Sequence, residues 1–257
     1  MKVINSITEN FGNYCISPFL YPFQGSQIKV ADDGISATYR VRPWTSDKWI
    51  VWEIWGLNEY NSFPSILPTD VVVDIGAQIG VFTVFASQKA NRGQVLAFEP
   101  FWENFSLLLE NINLNHCQNV QAFQMAVGKI NSPASTDLFI NPRNSGGHSI
   151  VASVGDNKLT VKQISLAEIF FQNQIHKINY LKIDTEGSEF DILLTTPAKL
   201  LRNVDQIGLE YHDYLSQSVK HNEIVNYLQL CGFRVKVVNY PLISQIYGLG
   251  NILATRR

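Results

Sequence analysis

The sequence has no excess of basic residues, because 20 Lys and Arg stand against 22 Asp and Glu in 257 residues. A protein that holds nucleic acid through its phosphates needs a basic surface, so we expect no nucleic-acid partner. Charged residues are few at 16%, whereas 46% of the residues are hydrophobic. A chain of this composition can bury a full core and is not disordered.

Long apolar runs and cysteine pairs are also missing. No run of about 18 apolar residues occurs, so we predict no membrane span, and the first residues lack the apolar core of a signal peptide. Cys15, Cys117 and Cys231 form neither a CxxC pair nor a zinc spacing, so we interpret them as reduced thiols. These absences together predict a cytoplasmic protein.

The chain divides into two regions of different composition. Residues 1–67 are rich in Pro, Gly, Trp and Tyr, and a short helix is predicted over 47–60. Because this region is too short to hold much core alone, we predict an N-terminal extension or lid. Its tryptophans and Tyr60 either cover an apolar acceptor or pack as plain core. Residues 68–257 are predicted to form the main domain.

From Asp70 onward, apolar strand-like runs alternate with helical patterns. The run Val71-Val72-Val73 is typical of a strand buried on both faces, and residues 128–166 interrupt the alternation with a predicted inserted hairpin. The sequence therefore predicts an α/β fold with a doubly wound, mostly parallel sheet. The remaining strands are predicted at 94–98, 120–127, 180–183, 206–210, 233–237 and 252–254, and the helices at 81–90, 101–115, 222–231 and after a capping box of Ser188 and Asp191.

Ligands of such sheets bind beyond the carboxyl ends of the strands, where two motifs stand out. The first strand is followed by Asp74-Ile75-Gly76-Ala77-Gln78-Ile79-Gly80, whose first glycine allows close backbone approach to a ligand. The second strand is followed by Glu99. A carboxylate there can accept hydrogen bonds from both ribose hydroxyls, so the pair of motifs predicts a nucleoside site.

The glycine spacing separates the candidate nucleosides. Dinucleotide sites prefer G-x-G-x-x-G, whose second glycine admits the pyrophosphate, whereas this chain has G-x-x-x-G with Gln78 between. Asp74 would repel a pyrophosphate but suits a cofactor that carries an ammonium and a sulfonium. The spacing therefore favours S-adenosylmethionine (SAM), with a nicotinamide or flavin dinucleotide and a chance match as the alternatives.

Three segments resemble the FkbM family of SAM-dependent methyltransferases: residues 72–80, residues 98–100 and residues 181–189. The third, with the pattern K-I-D-x-E-G-x-E, is the most specific. Residues 144–149 resemble the family's N-x-G-G-type segment and 47–60 its preceding helix, so the likeness covers about 45–213. It implies a Rossmann-like class I methyltransferase fold with a seven-stranded sheet, and methylation of a hydroxyl on a small molecule, natural product or sugar.

The resemblance also implies roles for individual residues. Asp74 and Gly76 would face the methionine part of SAM, Glu99 the ribose, and Asp184 the sulfonium and the acceptor. The family usually has Asn where this chain has Gln78, and the longer amide can still contact the cofactor. The full set of implied cofactor-binding residues is Asp74, Gly76, Gln78, Gly80, Glu99, Met125, Ala126 and Asp184.

An alcohol acceptor must lose a proton, which requires a general base or a metal that lowers the hydroxyl pKa. The residues at strand ends or in the insertion that could take this proton are His148, Asp184, Glu186, Glu210 and His212. Of these, Asp184, His148, Glu210 and His212 are predicted to be catalytic. Glu210 and His212 lie two apart and share a face if the chain is extended there. Asp184, Glu210 and His212 could also hold a divalent metal, although no metal is expected.

Two other functions remain open at the level of sequence. The first is a binding module that uses this fold for a nucleotide or SAM without turnover. The second is a nucleic-acid methyltransferase, for which residues 141–144 offer only a superficial likeness to the N-P-P-aromatic motif, because the stacking aromatic is missing.

Overall fold

The structure is a computed structural model of the chain. It describes residues 27–32, 34–56, 66–141, 147–151, 157–216, 219–239, 244 and 248–256. Cys15, Tyr60 and residues 144–146 of the predicted N-x-G-G segment lie outside these residues. Within the described residues, no helix combines the length and the apolar character needed to cross a membrane.

The N-terminal region forms a hairpin and a helix that pack on the main domain. Strands β1 (Gln27–Asp32) and β2 (Ile35–Arg40) pair antiparallel, and helix α1 (Asp47–Trp55) follows. Tyr39 is fully buried, and its hydroxyl donates to Val81 O at 3.1 Å and accepts from Trp55 Nε1 at 3.0 Å. Trp55 is therefore core, whereas Trp44 is 69% exposed.

A seven-stranded sheet forms the centre of the main domain. Its strands are β3 (Val71–Ile75), β4 (Gln94–Phe98), β5 (Val120–Phe123), β9 (Ile178–Ile183), β10 (Val204–His212), β11 (Arg234–Asn239) and β12 (Leu249–Thr255). Their spatial order is β11-β12-β10-β9-β3-β4-β5. The pairs within β10-β9-β3-β4-β5 are parallel, and β12 runs antiparallel to both β10 and β11. This confirms the predicted doubly wound, mostly parallel sheet.

Helices cover both faces of this sheet, as strands buried on both sides require. Because strand side chains alternate between faces, Val72 joins the core under α1, α2 (Val81–Lys89) and α3 (Trp102–Leu114). Val73 joins the opposite core, under four further helices. These are α4 (Leu166–Gln172), α5 (Glu189–Thr195), α6 (Ala198–Leu201) and α7 (His221–Leu230).

The predicted insertion is a small separate sheet. Strands β7 (Ser135–Phe139) and β8 (Lys158–Ser165) form the expected antiparallel hairpin, and β6 (Ala126–Gly128) joins β8 in parallel. The prediction of one strand over 120–127 is therefore wrong. The Met125 N–H bonds to Phe123 O at 2.9 Å, and this tight turn ends β5 and sends the chain into the second sheet.

The predicted capping box of Ser188 and Asp191 is also wrong. Ser188 has helical backbone angles (φ −83°, ψ −3°) and makes no side-chain cap, whereas a capping residue needs an extended backbone. Glu189 instead accepts the Gly187 N–H at 2.8 Å. A complete capping box occurs at Ser165 and Glu168, at the start of α4.

Candidate active site

A cavity of about 270 Å³ opens at the carboxyl ends of β3, β4, β9 and β10. This is close to the lower end of the range for small-molecule pockets, about 300–1,000 Å³. One part of its wall is apolar, and another carries carboxylates. The described residues that line it include, among the predicted site residues, Gly76, Gln78, Glu99, Met125, Ala126, His148, Asp184 and Glu210.

Two glycines shape the loop that follows β3. Gly76 has φ +78°, and a Cβ built there would lie 1.7 Å from Asp184 O. The chain at the end of β9 comes so close that only glycine fits at position 76, whether or not a ligand also contacts it. Gly80 has φ +85° and packs on α3, since a Cβ there would lie 2.5 Å from Leu108 Cδ1. The structure places Gly80 at this helix contact and not on the cavity wall.

Asp74 does not face the cavity, contrary to the role implied for it. Its side chain is fully buried, its Oδ2 accepts the Thr83 hydroxyl at 2.6 Å, and its Oδ1 lies 3.2 Å from Lys182 Nζ. Asp74 and Lys182 are direct neighbours on β3 and β9. Because that pairing turns both side chains to the same face, the Asp74 carboxylate holds Lys182, and Asp74 is not among the described residues that line the cavity.

Lys182 is the centre of this buried arrangement. Its ammonium also donates to Gly76 O at 2.8 Å and lies 3.7 Å from Asp184 Oδ2. Burial alone lowers the pKa of Lys182, but the carboxylates of Asp74 and Asp184 outweigh it and raise the pKa above its usual value. Lys182 therefore stays charged, fixes the backbone of the glycine loop and lines the cavity beside Asp184.

Glu99 lines the cavity at the end that β4 forms. It is buried, and accepts from the Gln78 N–H at 2.9 Å, the Phe101 N–H at 2.9 Å and Asn104 Nδ2 at 3.4 Å. A carboxylate can accept about four hydrogen bonds, so these three donors leave capacity for a ribose hydroxyl. Burial raises the pKa of Glu99 to about 7, although the N–H groups of Phe101 and Gln78 oppose this shift.

Carboxylates and a histidine converge at the other end, where β9 and β10 finish. One donor atom each from Asp184, Glu210 and His212 lies within 4.8 Å of the others. His212 is buried behind this wall, with Nδ1 2.9 Å from Glu189 Oε1 and Nε2 3.6 Å from Glu186 Oε2. The strand-end spacing thus predicted which side chains would meet, although His212 does not line the cavity.

His212 supplies a positive charge to this cluster. Burial alone lowers its pKa, but Glu189, Glu186 and Glu210 outweigh burial and raise the pKa to about 10. A protonated imidazole cannot accept a further proton. The predicted base role is therefore not supported for His212.

His148 lies on the cavity wall, but its contacts do not suit a base. Its Nδ1 accepts the Asn141 N–H at 3.0 Å, so the ring proton of the neutral form resides on Nε2. The ring packs on Phe101, with 4.2 Å between centroids. Burial, together with the nearby charge of Arg42, lowers the pKa of His148 to about 4. The prediction of His148 as a catalytic base is thus not supported, and its ring forms part of the cavity wall.

The cavity wall also includes residues to which the sequence analysis gave no catalytic or cofactor-binding role. Helix α1 contributes side chains, and Lys182 lies at the end of β9. Glu186, one of the candidate proton acceptors, also lines the cavity. The resemblance of 47–60 to the family's preceding helix pointed to α1, and Lys182 lies within the K-I-D motif itself. The α1 residues on the wall are Ser46, which precedes the helix, and Trp49, Ile50, Glu53 and Ile54.

The FkbM methyltransferase domain model matches residues 74–235, more than half of the chain. The chain belongs to the FkbM methyltransferase family. The family assignment confirms the SAM-dependent class that the motif spacing predicted. The chemistry of the cavity fits this cofactor, because its wall combines a buried carboxylate that has spare acceptor capacity with the apolar side chains of Phe98, Met125 and Leu138.

Two curated relatives show how similar the sequence is to known methyltransferases. Methyltransferase 1 of Beauveria bassiana is 31% identical over 165 residues, which cover 55% of this chain and 64% of that protein. Hexuronic acid methyltransferase AglP of Haloferax volcanii is 29% identical over 143 residues, which cover 56% of each. The chain thus spans between half and two thirds of the length of these FkbM-like relatives.

Solved structures resemble this FkbM domain at lower identity. The Methanococcus jannaschii fibrillarin pre-rRNA processing protein is 13% identical with a TM-score of 0.49, over 99% of this chain and 98% of that one. A SAM-dependent methyltransferase from Aquifex aeolicus is 13% identical with a TM-score of 0.43, over 78% and 89%.

The pKa of Glu99 predicts how SAM affinity changes with pH. A ribose held by Glu99, as the sequence predicts, would donate its hydroxyls to the ionised carboxylate, so the protonated form below pH 7 would have to lose its proton before SAM binds. We expect the Kd for SAM to rise about tenfold between pH 8 and pH 6, as measured by calorimetry. The Glu99→Gln variant should bind more weakly, without this pH dependence. A wild-type Kd that does not change over this range would contradict the ribose assignment.

Proposed function

We propose that the chain is a SAM-dependent O-methyltransferase whose acceptor is a hydroxyl on a sugar, glycan or other small molecule. The observation that carries the proposal is that three carboxylates, those of Asp184, Glu186 and Glu210, line the cavity beyond the ends of β9 and β10. Glu99 lines the same cavity at the end of β4, on the other side of β3. An alcohol must be deprotonated for this reaction, and a set of carboxylates beside the transfer site meets that need.

The roles within this cluster follow from exposure and charge. SAM supplies an electrophilic methyl group, so the chain needs to bind, orient and deprotonate the acceptor and exclude water. The Asp184 side chain is 31% exposed and is the carboxylate that takes the hydroxyl proton. Glu210 accepts a second hydrogen bond and orients the acceptor. Two positive charges stand beside these carboxylates: the Lys182 ammonium lies 3.7 Å from Asp184 Oδ2, and His212 interacts electrostatically with Glu210.

The sugar preference has support from one relative. The Haloferax volcanii protein is named for a hexuronic acid, and a cavity that mixes carboxylates with the aromatic face of Trp49 suits the hydroxyls and the apolar faces of a sugar ring. A cytoplasmic location, a small-molecule or glycan partner, and the division into an extension over 1–67 and a domain over 68–257 remain predictions.

Transfer of a labelled methyl group tests the proposal. The protein is incubated with deuterium-methyl SAM and a panel of neutral sugars, hexuronic acids, polyketide alcohols and RNA, and the products are read by mass spectrometry. We expect a mass gain on an oxygen of a sugar or small-molecule alcohol. Labelling of RNA alone would overturn the acceptor class. SAM binding without transfer to any acceptor, including cell extracts, would favour a binding module.

A further inference from the structure

A buried ion pair lies just before the region that the family match covers. Asp47 is fully buried, and its carboxylate accepts from Arg42 at three positions: the backbone N–H at 2.8 Å, Nε at 3.0 Å and Nη2 at 2.9 Å. Charge-assisted bidentate contacts of this kind are among the stronger hydrogen bonds in proteins. The pair fixes the chain that enters α1, since Asp47 is the first residue of that helix.

Two residues connect this pair to Glu99 on the cavity wall. The first is Gln78, whose side-chain Nε2 donates to Asp47 Oδ1 at 3.3 Å and whose backbone N–H donates to Glu99 Oε2 at 2.9 Å. The second is Asn104, whose Oδ1 accepts from Arg42 Nη2 at 2.7 Å and whose Nδ2 donates to Glu99 Oε1 at 3.4 Å. The five residues therefore form a closed ring of hydrogen bonds with Glu99 at its far side, in which Gln78 takes part through both its side chain and its backbone N–H.

The ring joins two parts of the cavity that come from distant parts of the chain. Helix α1 contributes Trp49, Ile50 and Ile54 to the wall, and Glu99 belongs to the end of β4. Asp47 and Arg42 do not line the cavity themselves, so they act on a ligand only through their neighbours. A disturbance of either wall must be transmitted to the other, because the ring consists of buried and partly buried polar groups that lose partners if it opens.

We propose that Asp47 is a positioning residue for the cofactor, which couples the docking of α1 to the orientation of Gln78 and Glu99. The inference rests on the SAM dependence of the family and not on the identity of the acceptor. Gln78 takes part in this coupling, because its side-chain amide reaches from the glycine loop to Asp47. The family usually has Asn at this position. By reciprocity, SAM binding must then stabilise α1 as much as docked α1 favours SAM.

Calorimetric titration with SAM, in the absence of any acceptor, tests whether Asp47 affects the affinity for SAM. Asp47→Asn keeps the shape of the side chain but turns an amide donor towards Arg42. We expect a rise of about 5- to 150-fold in the Kd for SAM, the usual span of coupling between sites. Because the route runs through Gln78, the Asp47→Asn and Gln78→Ala effects should be less than additive in the double variant.

The matched control is Asp205→Asn. Asp205 is also buried and pairs with Lys177 at 2.8 Å, but it stands at the start of β10, at the opposite end of the sheet. This variant should bind SAM within about twofold of the wild-type Kd while losing a similar ion pair. If Asp47→Asn does not fold, Arg42→Lys decides the matter, since lysine keeps the charge but cannot make the bidentate contact and reach Asn104 together.

Hydrogen exchange tests whether SAM binding stabilises α1. In the wild-type protein, SAM should slow exchange at the α1 amides, and this protection should be largely lost in Asp47→Asn or Arg42→Lys. Wild-type SAM affinity in these variants, or a loss no larger than in Asp205→Asn, would overturn the inference. If the wild-type protein itself bound no SAM, the proposed function would fail instead, so the two failures are distinguishable.

Discussion

Replacement of Lys182 by methionine is expected to lower the free energy of unfolding by about 3–5 kcal/mol, the usual cost of removing one partner of a buried ion pair. The side chain of Lys182 is 6% exposed and that of Asp74 is fully buried. Without the ammonium, Asp74 keeps the Thr83 hydroxyl as its described donor, and Gly76 O loses the bond at 2.8 Å. Urea unfolding in the absence of SAM measures the loss.

A second substitution separates the buried charge from the lost packing. Adding Asp74→Asn to Lys182→Met removes the unpaired carboxylate and should recover a large part of the stability, because a neutral amide is far cheaper to bury than an unpaired charge. Lys177→Met is the matched control: it breaks the more exposed pair with Asp205 and should cost less than about 1 kcal/mol. A loss of that small size in Lys182→Met would contradict the role assigned to Lys182.

The same pair shows where sequence reasoning reached its limit. The order of strands and helices and the strand-end positions of Asp184, Glu99 and Glu210 could be predicted, because apolar runs and spacing depend on local sequence. The partner of Asp74 could not, because Lys182 lies 108 residues further along the chain. It becomes a neighbour only when β9 pairs with β3 in the register that sets Asp74 beside Lys182. The position of Asp74 near the end of β3 was therefore interpreted as a ligand contact.

The ring around Asp47 illustrates a related limit. The sequence indicated a helix before the glycine motif, and α1 is present, but composition does not show that its first residue is buried against Gln78. That contact depends on how the β1–β2 hairpin packs on α2 and α3, where Tyr39 and Asn111 hold it; Asn111 Oδ1 accepts the Arg40 N–H at 2.6 Å. Tertiary packing of the N-terminal region therefore completed a site that the motifs defined only in part.

Asp184→Asn is expected to reduce kcat by about 10²- to 10⁴-fold, the usual contribution of a positioned general base. The Kd for SAM should change little, because Glu99 and the apolar wall hold the nucleoside. Asp191→Asn, which neutralises an exposed carboxylate on α5, is the matched control and should leave kcat within about twofold of the wild-type value. Glu210→Gln should have a smaller effect than Asp184→Asn, since an amide oxygen can still accept a hydrogen bond.

The acidity of the acceptor distinguishes a base from a residue that only orients the substrate. A hydroxyl with a lower pKa gives up its proton more readily, so it depends less on Asp184. We therefore expect the loss of kcat in Asp184→Asn to shrink as the acceptor changes from an aliphatic alcohol to a phenol of similar size. An equal loss for both acceptors would show that Asp184 orients the hydroxyl, and the base would then be sought in Glu210 or in Glu186, whose pKa burial raises above its usual value.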